Sequence, residues 1–493
     1  MTMRALLWKD ARIFTDVLLA GIALLAGSYF LALLLVYADS SSGFAWSKVI
    51  AGGASLARFS SILICALLGA YAFAREGEEC SGLFLASLPA RKGAILLSKA
   101  IIAVALFLTV WLASLLIMAL GLRAMGYGWD TLLLVLEAML GYIASGVMAF
   151  GVAWYLSLFM GSPVGAAFAG LMTLMPVYAA QFLANDWFDI ENPMFFHPVT
   201  VAAMFALGIA GVAGGCLRYS RFGGAPNSPR LNISLPWRRD SRRADVATAW
   251  SLADLGEQRT GPFRALLWKD IQLLRTSFKV AFVVLALPYL VALASHGDLG
   301  ALRTASVISI ALSVLIFSFW SGHIMSAETG SRTGDFLAAL PATRLNVLRA
   351  RLAVVLTPML GVTALNLLVL FATNHAIPGA IRFGADLTWT AWTNAPHLVM
   401  GLGLANGAAL GFAVAWFLSA CYQRPAVAIV AGVMTALVGL AFWAALAMAG
   451  MVSADGLTPV PFVYLFSSGN ALIAAALLAA GCAAAGRRRE TSR

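Results

Sequence analysis

The polar positions of this chain are clustered, and the apolar runs between them are long. Stretches of bilayer-crossing length lie near 17–37, 51–74, 95–120, 131–159, 164–184 and 197–217. A second set lies near 278–295, 305–327, 347–373, 392–420, 425–449 and 463–485. A helix needs about 20 apolar residues to cross a hydrocarbon core about 30 Å thick. Inside lipid a segment must satisfy its own backbone N–H and C=O groups, so runs of this length predict helices. The expected fold is an all-α polytopic membrane protein with about twelve transmembrane helices. The first run, Val17 to Tyr37, exceeds the apolar part of a signal peptide and ends in no Ala-x-Ala-like site. It therefore reads as a permanent span.

Composition agrees with this reading. Of 493 residues, 61% are hydrophobic and 11% charged, whereas soluble domains carry about 25% charged residues. An ordinary soluble enzyme, a disulfide scaffold and a disordered chain are excluded. Cys65, Cys80, Cys216, Cys421 and Cys482 show neither a pairing pattern nor zinc-ligand spacing and read as small buried residues. The distribution of the 33 Lys and Arg residues predicts orientation. With both termini in the cytoplasm, only Lys48, Arg58, Arg123, Arg303 and Arg382 fall on the outer side.

The chain also repeats itself. Arg4-Ala5-Leu6-Leu7-Trp8-Lys9-Asp10 recurs unchanged as Arg264-Ala265-Leu266-Leu267-Trp268-Lys269-Asp270. Glu76 with Ser81-Gly82-Leu83-Phe84-Leu85-Ala86-Ser87-Leu88-Pro89-Ala90 recurs as Glu328 with Thr333-Gly334-Asp335-Phe336-Leu337-Ala338-Ala339-Leu340-Pro341-Ala342. Lys99 and Arg351 keep the same offset, as do Val152-Ala153-Trp154 and Val414-Ala415-Trp416, with Pro163 and Pro425 in step. The reading is two six-span halves, 1–218 and 263–493, in the same orientation. Such parallel repeats are related by a pseudo-two-fold axis along the membrane normal. The Gly-, Pro-, Ser- and Arg-rich stretch 219–262 reads as a cytoplasmic basic linker between them, either simply solvated or lying on anionic headgroups.

Catalytic signatures are missing. There is no Gly-x-x-x-x-Gly-Lys-Ser/Thr loop, so the chain does not hydrolyse ATP by that route. It also lacks His-Glu-x-x-His and Gly-x-Ser-x-Gly. The sharp features are the two repeated elements. Residues 3–16 and 263–277 read as amphipathic helices lying in the membrane interface, with Trp8 and Trp268 at headgroup level. Lys9, Arg12 and Asp16 face away from the apolar arc, but Asp10 and Asp270 fall inside it. A carboxylate there needs a partner, since burying it alone is costly. It is read as a clamp to an inner loop or an adjoining subunit. Loops 75–94 and 328–346 each open with an acid at a span exit, Glu76 or Glu328, beside basic residues that could hold it as a strut. A small residue and Gly follow, then an apolar ridge of Phe84, Leu85 and Leu88, or Phe336, Leu337 and Leu340. An exposed apolar ridge on a short helix fits a partner's groove; packing on the chain's own span ends is the alternative.

Together these motifs resemble the permease (transmembrane) subunits of type-2 ATP-binding-cassette exporters. The resemblance covers nearly the whole chain and, unlike many members, has both six-span halves fused. It implies that 3–16 and 263–277 are connecting helices. It also implies that the loops carry coupling helices docking on separate ATPase subunits, about one per half. ATP and Mg would bind those partners and no cofactor this chain. It implies an integral protein of a bacterial cytoplasmic membrane, one permease chain per complex, partnered by the lipid bilayer and by no nucleic acid. The second and fifth spans would line the pathway, giving Phe59, Ser60, Ser61, Met172, Met175, Tyr178 and Phe182 in one half and Ser306, Ser309 and Ser313 in the other. Such an apolar lining suits a lipid-like, drug-like or amphipathic substrate; packing by small residues is the alternative for the serines. Short re-entrant segments are expected at Asn185–Pro193 and, less polar, at Val452–Pro461.

Two rivals stand beside this. A major-facilitator-type secondary transporter also has six plus six spans in parallel repeat, but Glu137 is the lone acid well inside an expected span. Such carriers usually need intramembrane acids paired with bases. An intramembrane enzyme or regulator would need a paired catalytic constellation that the sequence does not offer.

Overall fold

The computed structural model describes residues 3–38, 46–74, 92–124, 126, 128–160, 163–187, 197–222, 262–294, 299–330, 344–375, 396–422, 425–452 and 460–491. Of these, 97% are helical. The helices are α1 (Met3–Ala38), α2 (Trp46–Tyr71), α3 (Lys92–Ala124), α4 (Trp129–Leu156), α5 (Pro163–Met172), α6 (Leu174–Trp187) and α7 (Pro198–Phe222), followed by α8 (Pro262–Ala294), α9 (Leu299–Gly330), α10 (Arg344–His375), α11 (Pro396–Tyr422), α12 (Pro425–Val452) and α13 (Val460–Thr491). Ten helical stretches among the described residues are long and apolar enough to cross a membrane. The chain is thus built as an all-α integral membrane protein. Two expected spans, 425–449 and 463–485, fall on α12 and α13, whose described apolar stretches are the shorter Ala426–Gly439 and Gly469–Ala484.

The interface segment and the first span do not separate. α1 is one helix of 36 residues, about 54 Å long at 1.5 Å per residue. No Gly or Pro stands between Met3 and Ala20 to break it. Its buried stripe, Leu6, Asp10, Phe14, Val17, Leu24, Ser28 and Leu31, runs unbroken from the first turn into the apolar run. That spacing is one face of a helix. The arc expected to face lipid therefore packs into the protein at Leu6 and Phe14. α8 does the same through Leu266, Asp270, Leu274, Ala281 and Val284. Trp8 and Trp268 project outward from this stripe, 68% and 51% exposed.

The fifth expected span is in two pieces. Pro176 has no N–H and its ring crowds the carbonyl four residues back, at Met172, where α5 stops. Thr173 fills the gap by donating its hydroxyl to the Gly170 carbonyl at 2.6 Å.

Packing follows the same pairs in both parts of the chain. α1 packs on α2, α2 on α4, α4 on α7, α2 on α3 and α1 on α3. Their counterparts α8–α9, α9–α11, α11–α13, α9–α10 and α8–α10 also pack. The approach of α5 to α4 is set by Gly170, where a Cβ would lie 2.8 Å from the Ala149 oxygen. Gly432 does the same between α12 and α11, 2.6 Å from the Gly411 oxygen, with Ala153 and Ala415 at matching positions. Trp154 and Trp416 are fully buried, with Gly215 and Gly481 making room for their rings. Between the parts, α1 packs on α12, α8 on α5 and α6, and α5 on α9, where the Phe168 and Phe319 rings lie 5.7 Å apart.

Candidate functional site

The acid in the apolar arc has its partner. Asp10 is 1% exposed and Lys99, on the second turn of α3, is also 1% exposed. Lys99 Nζ lies 3.5 Å from Asp10 Oδ1, and Ser98 donates its hydroxyl to Oδ2 at 2.5 Å. Lys9 Nζ approaches the same carboxylate at 3.8 Å from the solvent side. The Lys99 ammonium also lies over the Phe73 ring, 5.5 Å from its centroid, and Phe73 packs edge-on against Trp154 at 5.0 Å. Charge, hydrogen bond and ring face together hold a buried ion pair whose desolvation would otherwise be unfavourable. The clamp joins the first turns of α1 to the first turns of α3 and reaches α2 and α4 through the aromatic cluster.

The second copy is built differently. Asp270 is buried, and Arg351 stands buried at the position of Lys99. The residue before it is Ala350, so the Ser98 hydroxyl has no counterpart. Lys269 Nζ lies 3.7 Å from Asp270 Oδ1. Burial pushes the Asp270 carboxyl above the ordinary carboxylate range, against the pull of Lys269 and of Arg351. Asp270 lies ahead of the apolar stretch Ser277–Ala294. A raised folded-state value means that the folded chain binds this proton more tightly than the unfolded chain. The contribution of Asp270 to stability is then greatest below the ordinary range and declines as pH rises through the raised value. Acidifying detergent-solubilised protein from about pH 7 to about pH 5 should raise the Tm of wild type relative to Asp270→Asn. A relative fall of the wild type would mean that the cations outweigh burial.

The expected pathway residues have identifiable neighbours in the fold. Phe59 is 62% exposed, edge-on to Tyr142 at 6.1 Å between centroids. Ser60 shares a hydrogen bond of 2.9 Å with Ser28 of α1, and Ser61 donates to its own helix at the Ala57 oxygen. Met172 is buried and Met175 half-buried. Tyr178 donates to Ser145 of α4 at 2.9 Å. Ser306 accepts from Tyr289 of α8 at 3.0 Å, Ser309 donates to the Leu285 oxygen of α8 at 3.3 Å, and Ser313 donates to the Ile310 oxygen of its own helix. These serines join helices or bond their own carbonyls, as packing by small residues would have them do, and Tyr178 joins α6 to α4. Phe182 lies on α6, but its side chain lies outside the described residues.

Most of the expected docking ridge also lies outside them. Glu76, Ser81, Gly82, Phe84, Leu85, Leu88 and Pro89 are not among the described residues, nor are Thr333, Gly334, Phe336, Leu337, Leu340 and Pro341. Glu328 falls within α9, its side chain undescribed. The described chain resumes at Lys92, so the clamp residues Ser98 and Lys99 stand within two turns of the loop's far end. The same holds for Arg351 after the second loop.

Three features escaped the sequence reading. Ser98 is a single hydroxyl in an apolar run; its signal was its place beside Lys99. Cys216 and Cys482 sit against Trp154 and Trp416, close enough for each indole to act on the thiol, although neither indole N–H makes a regular hydrogen bond. The signal was Gly215-Cys216 recurring as Gly481-Cys482. Arg58, counted with the outer basic residues, stands in the middle of α2. Among the described residues no three of His, Cys, Asp and Glu come together as metal ligands. No family model and no curated protein matches the chain.

Proposed function

We propose that this chain is the membrane-spanning permease part of an ATP-binding-cassette exporter, driven by separate ATPase subunits, one on each half. The observation that supports this most is the clamp. In the first half it ties the start of the first span's helix to the start of the third span's helix, within two turns of the loop that carries the apolar ridge; in the second half Asp270 and Arg351 stand buried at the matching places. A force on that loop would reach α3 and, through Asp10, the whole of α1. The ion pair makes the three pieces move as one body, which is what coupling to an ATPase needs. The matched packing pairs and the Gly170 and Gly432 contacts support two six-span repeats about a pseudo-two-fold axis. The basic residues support cytoplasmic termini. The helices that meet between halves are first, second and fifth spans, so the switch in access would occur there. The cargo would be lipid-like, drug-like or amphipathic.

The test is biochemical. Purified chain alone should hydrolyse no ATP, and cross-linking in its native membrane should recover a subunit bearing a Walker-type P-loop, two copies per chain. Sustained ATP hydrolysis by the isolated chain, or capture of no such subunit, would overturn the reading.

A further inference from the structure

Arg58 lies halfway along α2, between Trp46 and Tyr71, about 18 Å from either end at 1.5 Å per residue. A cation at that depth is expensive unless it is paired or has a task. No carboxylate meets it among the described residues. One terminal nitrogen, Nη2, reaches only the thioether of Met118 on α3, at 3.7 Å. The guanidinium carbon stands 5.2 Å from the centre of the Tyr142 ring on α4. Nε is sealed from solvent and makes no hydrogen bond. The Tyr29 hydroxyl on α1, within electrostatic reach of Arg58, is likewise buried and unbonded. Four helices thus bring together a delocalised positive charge and a phenol O–H, with a thioether and a ring face as the other neighbours.

Such a set is short of acceptors. An Arg fork is shaped to receive a carboxylate or phosphate through two parallel hydrogen bonds. Arg58 as a whole is half-buried, so the fork can be reached from the helix surface. The next residue, Phe59, is exposed and lies edge-on to the same Tyr142 ring. It offers an apolar surface for a hydrocarbon tail beside the charge.

We propose that Arg58, with Tyr142 and Tyr29, binds the anionic headgroup, carboxylate or phosphate, of an amphipathic molecule midway across the first half. As a cargo site this rests on the permease reading; as a lipid site it stands without it.

The test uses the purified full chain in detergent and native mass spectrometry. The probes are phosphatidylglycerol against phosphatidylcholine of the same acyl chains, and oleate against oleyl alcohol. Wild type should bind at least one anion about ten-fold or more tightly than its neutral match, a difference of about 1.4 kcal/mol. Arg58→Gln should abolish that preference, Arg58→Lys should keep part of it, and Lys48→Gln, at the end of the same helix, should leave it unchanged. Preference for phosphatidylglycerol alone assigns the site to a bilayer lipid, and preference for oleate assigns it to a transported amphiphile. Should Arg58→Gln fail to fold, Tyr142→Leu removes the ring face and should weaken the preference several-fold. No preference in the wild type, an unaltered preference in both variants, or an equal loss in Lys48→Gln would overturn the proposal. No ATPase enters the assay, so a chain that binds the anion yet captures no ATPase would refute the permease reading and spare the site.

Discussion

Asp10→Ala and Lys99→Met should each destabilise the chain by about 3–5 kcal/mol, and the double variant by far less than their sum. Both side chains are buried, and each single change strands the other. Asp10→Ala removes the carboxylate from the Lys99 ammonium and leaves it over the Phe73 ring face. That contact gives about 2 kcal/mol when dry, too little to offset burial of an unpaired cation. Lys99→Met leaves Asp10 with the Ser98 hydroxyl and the more distant Lys9. With both removed, neither charge of the pair remains buried there, and packing of the Met side chain recovers part of the loss. Reversible unfolding in detergent gives the four corners of the cycle, and a coupling energy near zero would mean that the clamp is not a unit. The second copy should couple more weakly. Asp270 has no serine at the place of Ser98, and burial pushes its carboxyl above the ordinary carboxylate range.

Ten of the expected spans fall on helices long and apolar enough to cross a membrane; they were legible because lipid leaves the backbone one local solution, and a run of apolar residues records it. The Asp10 clamp was half legible. An acid inside an apolar arc announces that a partner exists, and Lys99 and Arg351 were already visible as a repeated pair. Joining them was beyond the pattern, because Ser98 lies 88 residues from Asp10. Helix periodicity reports which face is buried, not which helix covers it. The same limit explains α1. Lys9, Arg12 and Asp16 suggested a helix lying flat and ending near residue 16. Polar residues do not end a helix, however; Pro, Gly or a cap does, and none occurs before Gly21. Arg58 was misread because counting basic residues by loop sorts charges by side and ignores depth. The serines of the second spans were expected along a pathway on the strength of the resemblance; Ser306, Ser309 and Ser313 share a helical face, which suits a neighbouring helix as well as a pathway. Asymmetry between the clamps, Ser98-Lys99 against Ala350-Arg351, was present in the sequence but has meaning only once Asp10 is seen to accept from Ser98.

Phe84→Asp combined with Phe336→Asp should abolish capture of the ATPase subunits while leaving insertion in the membrane intact. Both positions lie outside the described residues, and the expectation rests on the repeated loop pattern and on where the loops end. By sequence alone each loop offers Phe, Leu and Leu at the spacing of one apolar ridge, and the described chain resumes in the helix that carries Lys99 or Arg351. An aromatic anchor at the centre of an interface is worth about 2–4 kcal/mol when it is a hot spot. Loss of that contact at one loop weakens binding by about 30- to 1,000-fold, and a carboxylate in the vacated groove adds its own desolvation. With two loops engaged together, losing one should leave a single weakened attachment, and losing both should leave none. The clamp supplies the control. Asp10→Ala should still capture the ATPase, because the ridge is untouched, but its ATP hydrolysis should no longer respond to the transported amphiphile. Normal co-purification of the double Phe variant would remove these loops as the docking site. Normal stimulation in Asp10→Ala would remove the clamp from the path of force and leave it as a device for stability alone.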